Sequence, residues 1–305
     1  MKKVSFFNYN GQGITMVANL YFPPEFDETK TYPTIIVTHP AGGVKEQTSG
    51  LYAQHLAKAG FVTIAFDASY QGESSGLPRQ LENPYVRVED ISAVVDYLIT
   101  LNYVDSSRIG AVGICAGGGY TVNAAINDRR LKAVATVSAA NFGAMMRNGW
   151  TNNQSDDAAL SLLEAASNAR TEDRLKNINQ TIPLIPLKEE DAPSEEMRQA
   201  WEYYCTPRGA HPNAVGYATF RNFTQVLTYD AFFKADVFLT QPLLAIVGSN
   251  ADSKWVSETL IENAASKDKK MVVINGANHM ELYDKPEYVS QAVEALSDFF
   301  TEKIS

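Results

Sequence analysis

Three side chains in this sequence have the types and settings that nucleophilic acyl chemistry requires: Cys115, His279 and Asp252. Cys115 is the centre of Gly113-Ile114-Cys115-Ala116-Gly117, a Gly-x-Cys-x-Gly run with the form of a nucleophile elbow that carries sulfur in place of oxygen. A turn sharp enough to hold a nucleophile at its tip forces that residue into a strained backbone conformation. It also leaves no room for side chains two residues away on either side, a demand that Gly113 and Gly117 meet. The apolar stretch Ile109 to Ile114 predicts a strand before the turn, and Tyr120 to Ala125 predicts a helix after it. The amino end of that helix would aim amides and partial positive charge at the sulfur and favour thiolate. The plainer alternative is that Cys115 is a small buried hydrophobe.

A thiol at an elbow needs a base. Of four histidines, His279 lies in the polar loop Asn275-Gly276-Ala277-Asn278-His279, directly after the last predicted strand. That places it at the carboxyl edge of the sheet, where open α/β sheets bind ligands. His55 falls within a helical pattern, and His211 belongs to the insertion, where nothing specifies it. The base needs an orienting acid, and Asp252 follows the Leu243–Val247 strand in the chain order nucleophile, acid, base. Its other reading is a helix N-cap; Glu281 and Asp284 are the substitutes. An oxyanion hole is expected from the Ala116 amide and from the loop after Thr38, where Pro40 has no N–H and Ala41 is the donor, with Gly42 next. Gly42, Tyr70 and Trp201 are the expected substrate contacts. The two cysteines, Cys115 and Cys205, have no metal-ligand spacing, so neither a metal nor a cofactor is expected.

These residues require a particular frame. Lys3 to Phe22 reads as a hairpin about Asn10-Gly11-Gln12-Gly13. Strand-like runs at Thr34–Thr38, Phe61–Phe66, Ile109–Ile114, Leu131–Val137, Pro242–Gly248 and Met271–Ile274 alternate with helical patterns. Repeated β–α units predict an α/β chain with a mainly parallel sheet and helices on both faces. From about Asn141 to Phe238 the rhythm breaks into helical stretches (158–169, 194–204), a proline-marked segment from Ile182 to Pro186, and an aromatic tract from Trp201 to Phe233. The expected organisation is a core of residues 1–140 and 239–305 with a mostly helical lid inserted over 141–238. The aromatic tract also reads as ordinary helix core.

The 305 residues suffice for one large core with an inserted lobe. A net charge of −9 without a basic block argues against a nucleic-acid partner. No run approaches a membrane span and no signal peptide is evident, so a cytoplasmic location without membrane association is expected. A homodimer is left open.

The His39-Pro40-Ala41-Gly42-Gly43 loop, the Asp67-to-Ser74 turn, the Gly-Ile-Cys-Ala-Gly-Gly elbow, the Gly248-to-Asp252 turn and the Gly-Ala-Asn-His end together resemble the α/β-hydrolase superfamily. Within it they are similar to the dienelactone-hydrolase-like branch, whose members carry Gly-x-Cys-x-Gly, and to a group that includes bacterial hydrolases and fungal polyketide acyltransferases. The resemblance covers nearly all of the chain except the insertion. It implies an α/β-hydrolase sheet and thiol chemistry. Pro40 stands at the nearest equivalent of a glutamate that contacts the resting thiol in dienelactone hydrolases. Arg79 and Arg87 are only in the neighbourhood of arginines that hold the dienelactone carboxylate, so that substrate is not implied.

The expected reaction is attack of Cys115 on the acyl carbonyl of a small-molecule ester, lactone or thioester, giving a thioester acyl-enzyme that water resolves with help from His279 and Asp252. Two alternatives stay open: an acyltransferase using the same intermediate, and a non-catalytic ligand-binding protein on the same scaffold.

Overall fold

The computed structural model describes residues 1–305. Its strands are β1 (Lys2–Asn8), β2 (Ile14–Tyr21), β3 (Tyr32–Thr38), β4 (Val62–Phe66), β5 (Val104–Ile114), β6 (Leu131–Val137), β7 (Thr181–Pro183), β8 (Tyr217–Thr219), β9 (Leu243–Gly248) and β10 (Lys269–Ile274). Eight of them form one sheet in the order β1-β2-β4-β3-β5-β6-β9-β10. The predicted hairpin is present, with Asn8 paired to Ile14, and β2 runs antiparallel to both β1 and β4. All pairings from β4 to β10 are parallel. Val62–Phe66 and Leu243–Gly248 are buried along their whole length, as strands covered on both faces must be.

The helices are α1 (Thr48–Lys58), α2 (Pro84–Leu98), α3 (Ala116–Asn127), α4 (Phe142–Asn148), α5 (Leu160–Lys176), α6 (Glu195–Cys205), α7 (Phe223–Leu227), α8 (Ala235–Phe238), α9 (Lys254–Asn263) and α10 (Pro286–Ile304). Two apolar cores lie on opposite faces of the sheet. One holds Tyr52 and Leu56 of α1 with Leu296 and Phe300 of α10. The other holds Ile91 and Val94 of α2, Tyr120 and Val122 of α3, and Val256 and Leu260 of α9. This is an α/β-hydrolase architecture.

Register fixes where the chemistry sits. Gly113 of β5 lies opposite Thr38 of β3 and Thr136 of β6, so Cys115 emerges at the carboxyl ends of the central strands. Gly248 of β9 pairs with Ile274 of β10, and the loops that carry Ser253 and His279 therefore leave the same edge.

Residues 141–238 contain α4 to α8 and a small antiparallel pair, β7 with β8, that is separate from the main sheet. Strand β7 occupies part of the proline-marked segment, where the sequence pattern showed no strand. The segment packs on both cores: Phe223 and Val226 of α7 join one, Met197 and Ala200 of α6 the other. No helix in the structure is long and apolar enough to cross a membrane.

Candidate active site

The elbow is built by sterics. Cys115 precedes α3 with φ 55° and ψ −126°, a region that a non-glycine residue occupies only under constraint. A Cβ on Gly113 would stand 2.1 Å from the Gly117 carbonyl oxygen, and one on Gly117 would stand 2.4 Å from the Thr38 carbonyl oxygen. The turn is pinned by backbone hydrogen bonds: Cys115 N–H donates to Val137 O at 3.0 Å, and Gly118 N–H donates to Cys115 O at 2.8 Å.

His279 is fully buried, and its Nδ1 lies 2.6 Å from the Ser253 hydroxyl. This corrects the expectation for Asp252. The Asp252 side chain is exposed, and its backbone N–H donates to Glu196 Oε2 at 2.9 Å. The chain begins α9 with Lys254, and that turn directs residue 253, one position later than expected, toward the imidazole. The substitutes are engaged elsewhere. Asp284 accepts two hydrogen bonds from Arg208, at 2.7 and 2.9 Å, and Glu281 accepts the Asn278 N–H at 3.0 Å.

Glu196, on α6, ties the loops of Asp252 and His279 together. Its Oε1 accepts the His279 backbone N–H at 3.1 Å while Oε2 accepts that of Asp252. Burial raises its carboxyl above the ordinary glutamate range, and the adjacent Asp252 carboxylate raises it further, against the two amides that favour the charged form.

Tyr283 adjoins both His279 and the cavity that Cys115 lines. His279 Nε2 is 3.3 Å from the Tyr283 hydroxyl, and the same hydroxyl interacts with the Cys115 thiol and with Tyr204. The rings of Tyr203 and Tyr283 meet edge to face at 5.2 Å, and Trp150 meets His279 the same way at 5.0 Å. Cys115 and Tyr283 line a small, largely apolar cavity of about 50 Å³ together with Ala41, Phe142, Leu184 and Tyr204. Nothing in the sequence pattern distinguished Tyr283, Trp150 or Glu196; the Gly248-to-Asp252 turn leads to the loop that meets His279, and the next residue, Ser253, makes the contact.

Of the other expected residues, Ala116 begins α3, and its amide interacts with the Cys115 sulfur. Ala41 shares the cavity with Cys115, and its amide donates to no backbone carbonyl. Gly42 has φ +68°, and a Cβ there would stand 3.1 Å from Leu184 Cδ1, so it contacts the inserted segment at the cavity wall. Tyr70 is not at the cavity: its hydroxyl donates to Gln12 at 2.6 Å, and its ring packs against Gly76 beside the amino-terminal hairpin. Trp201 is on the right helix and the wrong face. Glu196, Met197, Ala200, Tyr203 and Tyr204 are the buried side of α6, and of these Met197, Ala200 and Tyr204 line the cavity.

Beneath the elbow lies a buried polar cluster. Glu82 accepts from Arg87 Nη1 at 3.0 Å, from the Tyr120 hydroxyl at 2.8 Å and from Gln71 at 2.6 Å. Arg87 also donates to the His39 carbonyl at 2.6 Å, and its guanidinium lies 4.7 Å from the centre of the Tyr120 ring. Arg79 is spent on the carbonyls of Gly72 and Ser74. Both arginines are thus engaged within the protein through their terminal nitrogens. His39 is buried between Pro40 O and the Ala68 N–H, a neutral structural imidazole whose burial and nearby Arg87 depress its basicity.

The electrostatics of the resting site differ from the thiolate expected of a helix amino end. Burial pushes the Cys115 thiol up to about 11, although Tyr283 and the Ala116 amide favour the anion. Burial likewise brings His279 down to about 3. The resting pair is therefore neutral thiol and neutral imidazole, because burial disfavours both charges.

The family model of the dienelactone hydrolase family matches residues 18–159. The chain is 59% identical over 302 residues to the protein YcjY of Escherichia coli, covering 99% of each. A crystal structure of hypothetical protein PA2218 from Pseudomonas aeruginosa superimposes with a TM-score of 0.90 at 34% identity, covering 99% of this chain and 93% of that one. Over a shorter stretch, 34% of this chain and 33% of the relative, it is 30% identical to thiohydrolase aneE of Aspergillus aculeatus.

Proposed function

The chain belongs to the dienelactone hydrolase family of α/β-hydrolases, and from that premise we propose that it cleaves esters, lactones or thioesters through a thioester on Cys115. The observation that carries this reading is the strained Cys115 at the amino end of α3, facing a cavity it shares with Tyr283, whose hydroxyl also meets His279 Nε2. The thiol loses its proton toward His279 as sulfur attacks the acyl carbonyl. The Ala116 and Ala41 amides receive the developing oxyanion. The leaving group takes the proton back, and a water activated by the same imidazole releases the acid and the free thiol. Ser253 takes the orienting place at Nδ1. Thiolate is itself a good leaving group, so an adduct bearing an amine tends to collapse backward, and amides are poor substrates. The 141–238 segment acts as the lid and supplies the acyl pocket. Hydrolysis of p-nitrophenyl esters of graded chain length by the wild type and Cys115→Ala tests the reading. It expects turnover of short esters that disappears in the variant, and equal turnover by both proteins would remove Cys115 from the reaction.

Acyl transfer is the second reading, and the apolar lining of the cavity favours it. A pocket that holds little water prolongs the thioester and lets an alcohol or thiol acceptor compete. A relative named acyltransferase drtE, from Aspergillus calidoustus, is 27% identical over 129 residues.

A further inference from the structure

We propose that Tyr283 is a catalytic residue, its hydroxyl carrying the proton between the Cys115 sulfur and His279 Nε2. The inference rests on Cys115 being the nucleophile and adds a group to the pair. The Tyr283 hydroxyl is 3.3 Å from Nε2, and Tyr283 lines the same small cavity as Cys115, where it favours the thiol's anion. It is one of very few polar groups at an otherwise apolar cavity, in a residue only 1% exposed. A phenol buried there with no role would carry a desolvation cost that phenylalanine would avoid. Packing fixes the ring, since Tyr203 and Tyr204 both meet it edge to face.

The step balances without a co-reactant. As sulfur bonds to the acyl carbon, the S–H bond breaks and its proton passes to the Tyr283 oxygen. The Tyr283 O–H breaks in the same event, and its proton goes to Nε2. Tyrosine is regenerated, imidazole becomes imidazolium, and Nδ1–H donates to Ser253 Oγ. The transfer must be concerted, because burial and the neighbouring Cys115 and Tyr204 raise the Tyr283 hydroxyl well above its ordinary value and disfavour a free tyrosinate. Collapse of the adduct runs the relay in reverse to the leaving group. The other ionisable groups that act on the thiol are Glu82, which disfavours its anion, and Arg87, which favours it.

The test is pre-steady-state acylation of wild type, Tyr283→Phe and Cys115→Ala by one p-nitrophenyl ester, with proton inventories in mixed H2O and D2O. The phenylalanine variant keeps the ring packing and removes only the hydroxyl. Acylation is expected to fall about a hundredfold with KM nearly unchanged, the lower end of what a positioned acid–base group contributes. The wild-type inventory should curve, as for two protons in flight, and the variant's should be linear. If the variant folds poorly, 3-fluorotyrosine at 283 keeps the geometry with a more acidic phenol and should shift the acylation rate. Acylation of Cys115 at the wild-type rate in Tyr283→Phe, or an unshifted rate in the fluorinated protein, would overturn the relay and leave the nucleophile intact. Turnover by Cys115→Ala would instead overturn the nucleophile itself.

Discussion

The Ser253 hydroxyl lies 2.6 Å from His279 Nδ1, the position that a carboxylate takes in the familiar triads. A neutral hydroxyl can fix the tautomer and orientation of an imidazole, but it stabilises imidazolium less than an anion would. Burial keeps the His279 imidazole neutral at rest, as the proposed general base requires.

The first prediction separates the two neighbours. Ser253→Ala removes the Nδ1 partner and should slow acylation about tenfold, somewhat more than the net worth of one hydrogen bond. Asp252→Asn changes an exposed side chain and should stay within about twofold. Pre-steady-state acylation of both variants by one activated ester decides between them; the reverse ranking would return the orienting role to Asp252.

That exchange shows what was legible in the sequence. The elbow could be read because it is local and steric: Gly113 and Gly117 are required by carbonyls within a few ångströms. The sheet could be read because its inner strands carry buried apolar runs separated by helical patterns. Ser253 could not be separated from Asp252, because which of two adjacent residues faces inward depends on how α9 starts. The face of α6 was equally hidden, since Trp201 fits an apolar side as well as Tyr204 does. The carboxylate of Glu196, anchored to amides about 56 and 83 residues away, sets the rotation, and no local pattern encodes a contact of that range. Tyr70 reads as a binding residue only until the hairpin folds over it and Gln12 takes its hydroxyl.

The resting charges give a pH profile. A thiol that ionises near 11 should alkylate with iodoacetamide about tenfold faster per pH unit from 7 to 10, without levelling. No inflection from His279 should appear between pH 5 and 8. A plateau below pH 8 would mean a preformed thiolate–imidazolium pair.

Glu196 makes stability depend on pH with a definite sign. Its folded carboxyl binds a proton more tightly than the unfolded one, so its stabilising contribution is present at low pH and is lost as pH rises above the ordinary glutamate range. Relative to Glu196→Gln, the wild type should lose thermal stability between pH 5 and 9, by about 2 °C for each kcal/mol in a chain of this size. Parallel melting curves for the two proteins across that range would contradict the assignment.

The cavity predicts chain-length selectivity. Its small volume, about 50 Å³, favours short acyl groups. Leu184→Ala opens the wall next to Gly42 and should shift the preference toward longer esters. The gain expected is about 0.8 kcal/mol, or about fourfold in kcat/KM, for each methylene newly admitted. Kinetics over an acetyl-to-octanoyl series would show this, and an unchanged ranking would place the acyl pocket elsewhere.

The central claim is a covalent one, and intact-protein mass spectrometry addresses it directly. Mixed with p-nitrophenyl acetate and quenched in acid within the first turnovers, the protein should gain one acetyl group. Peptide mapping should place it on Cys115, and neutral hydroxylamine should remove it, as for a thioester. Turnover of the ester with no adduct at any time, or with the acetyl group on any residue other than Cys115, would contradict the account.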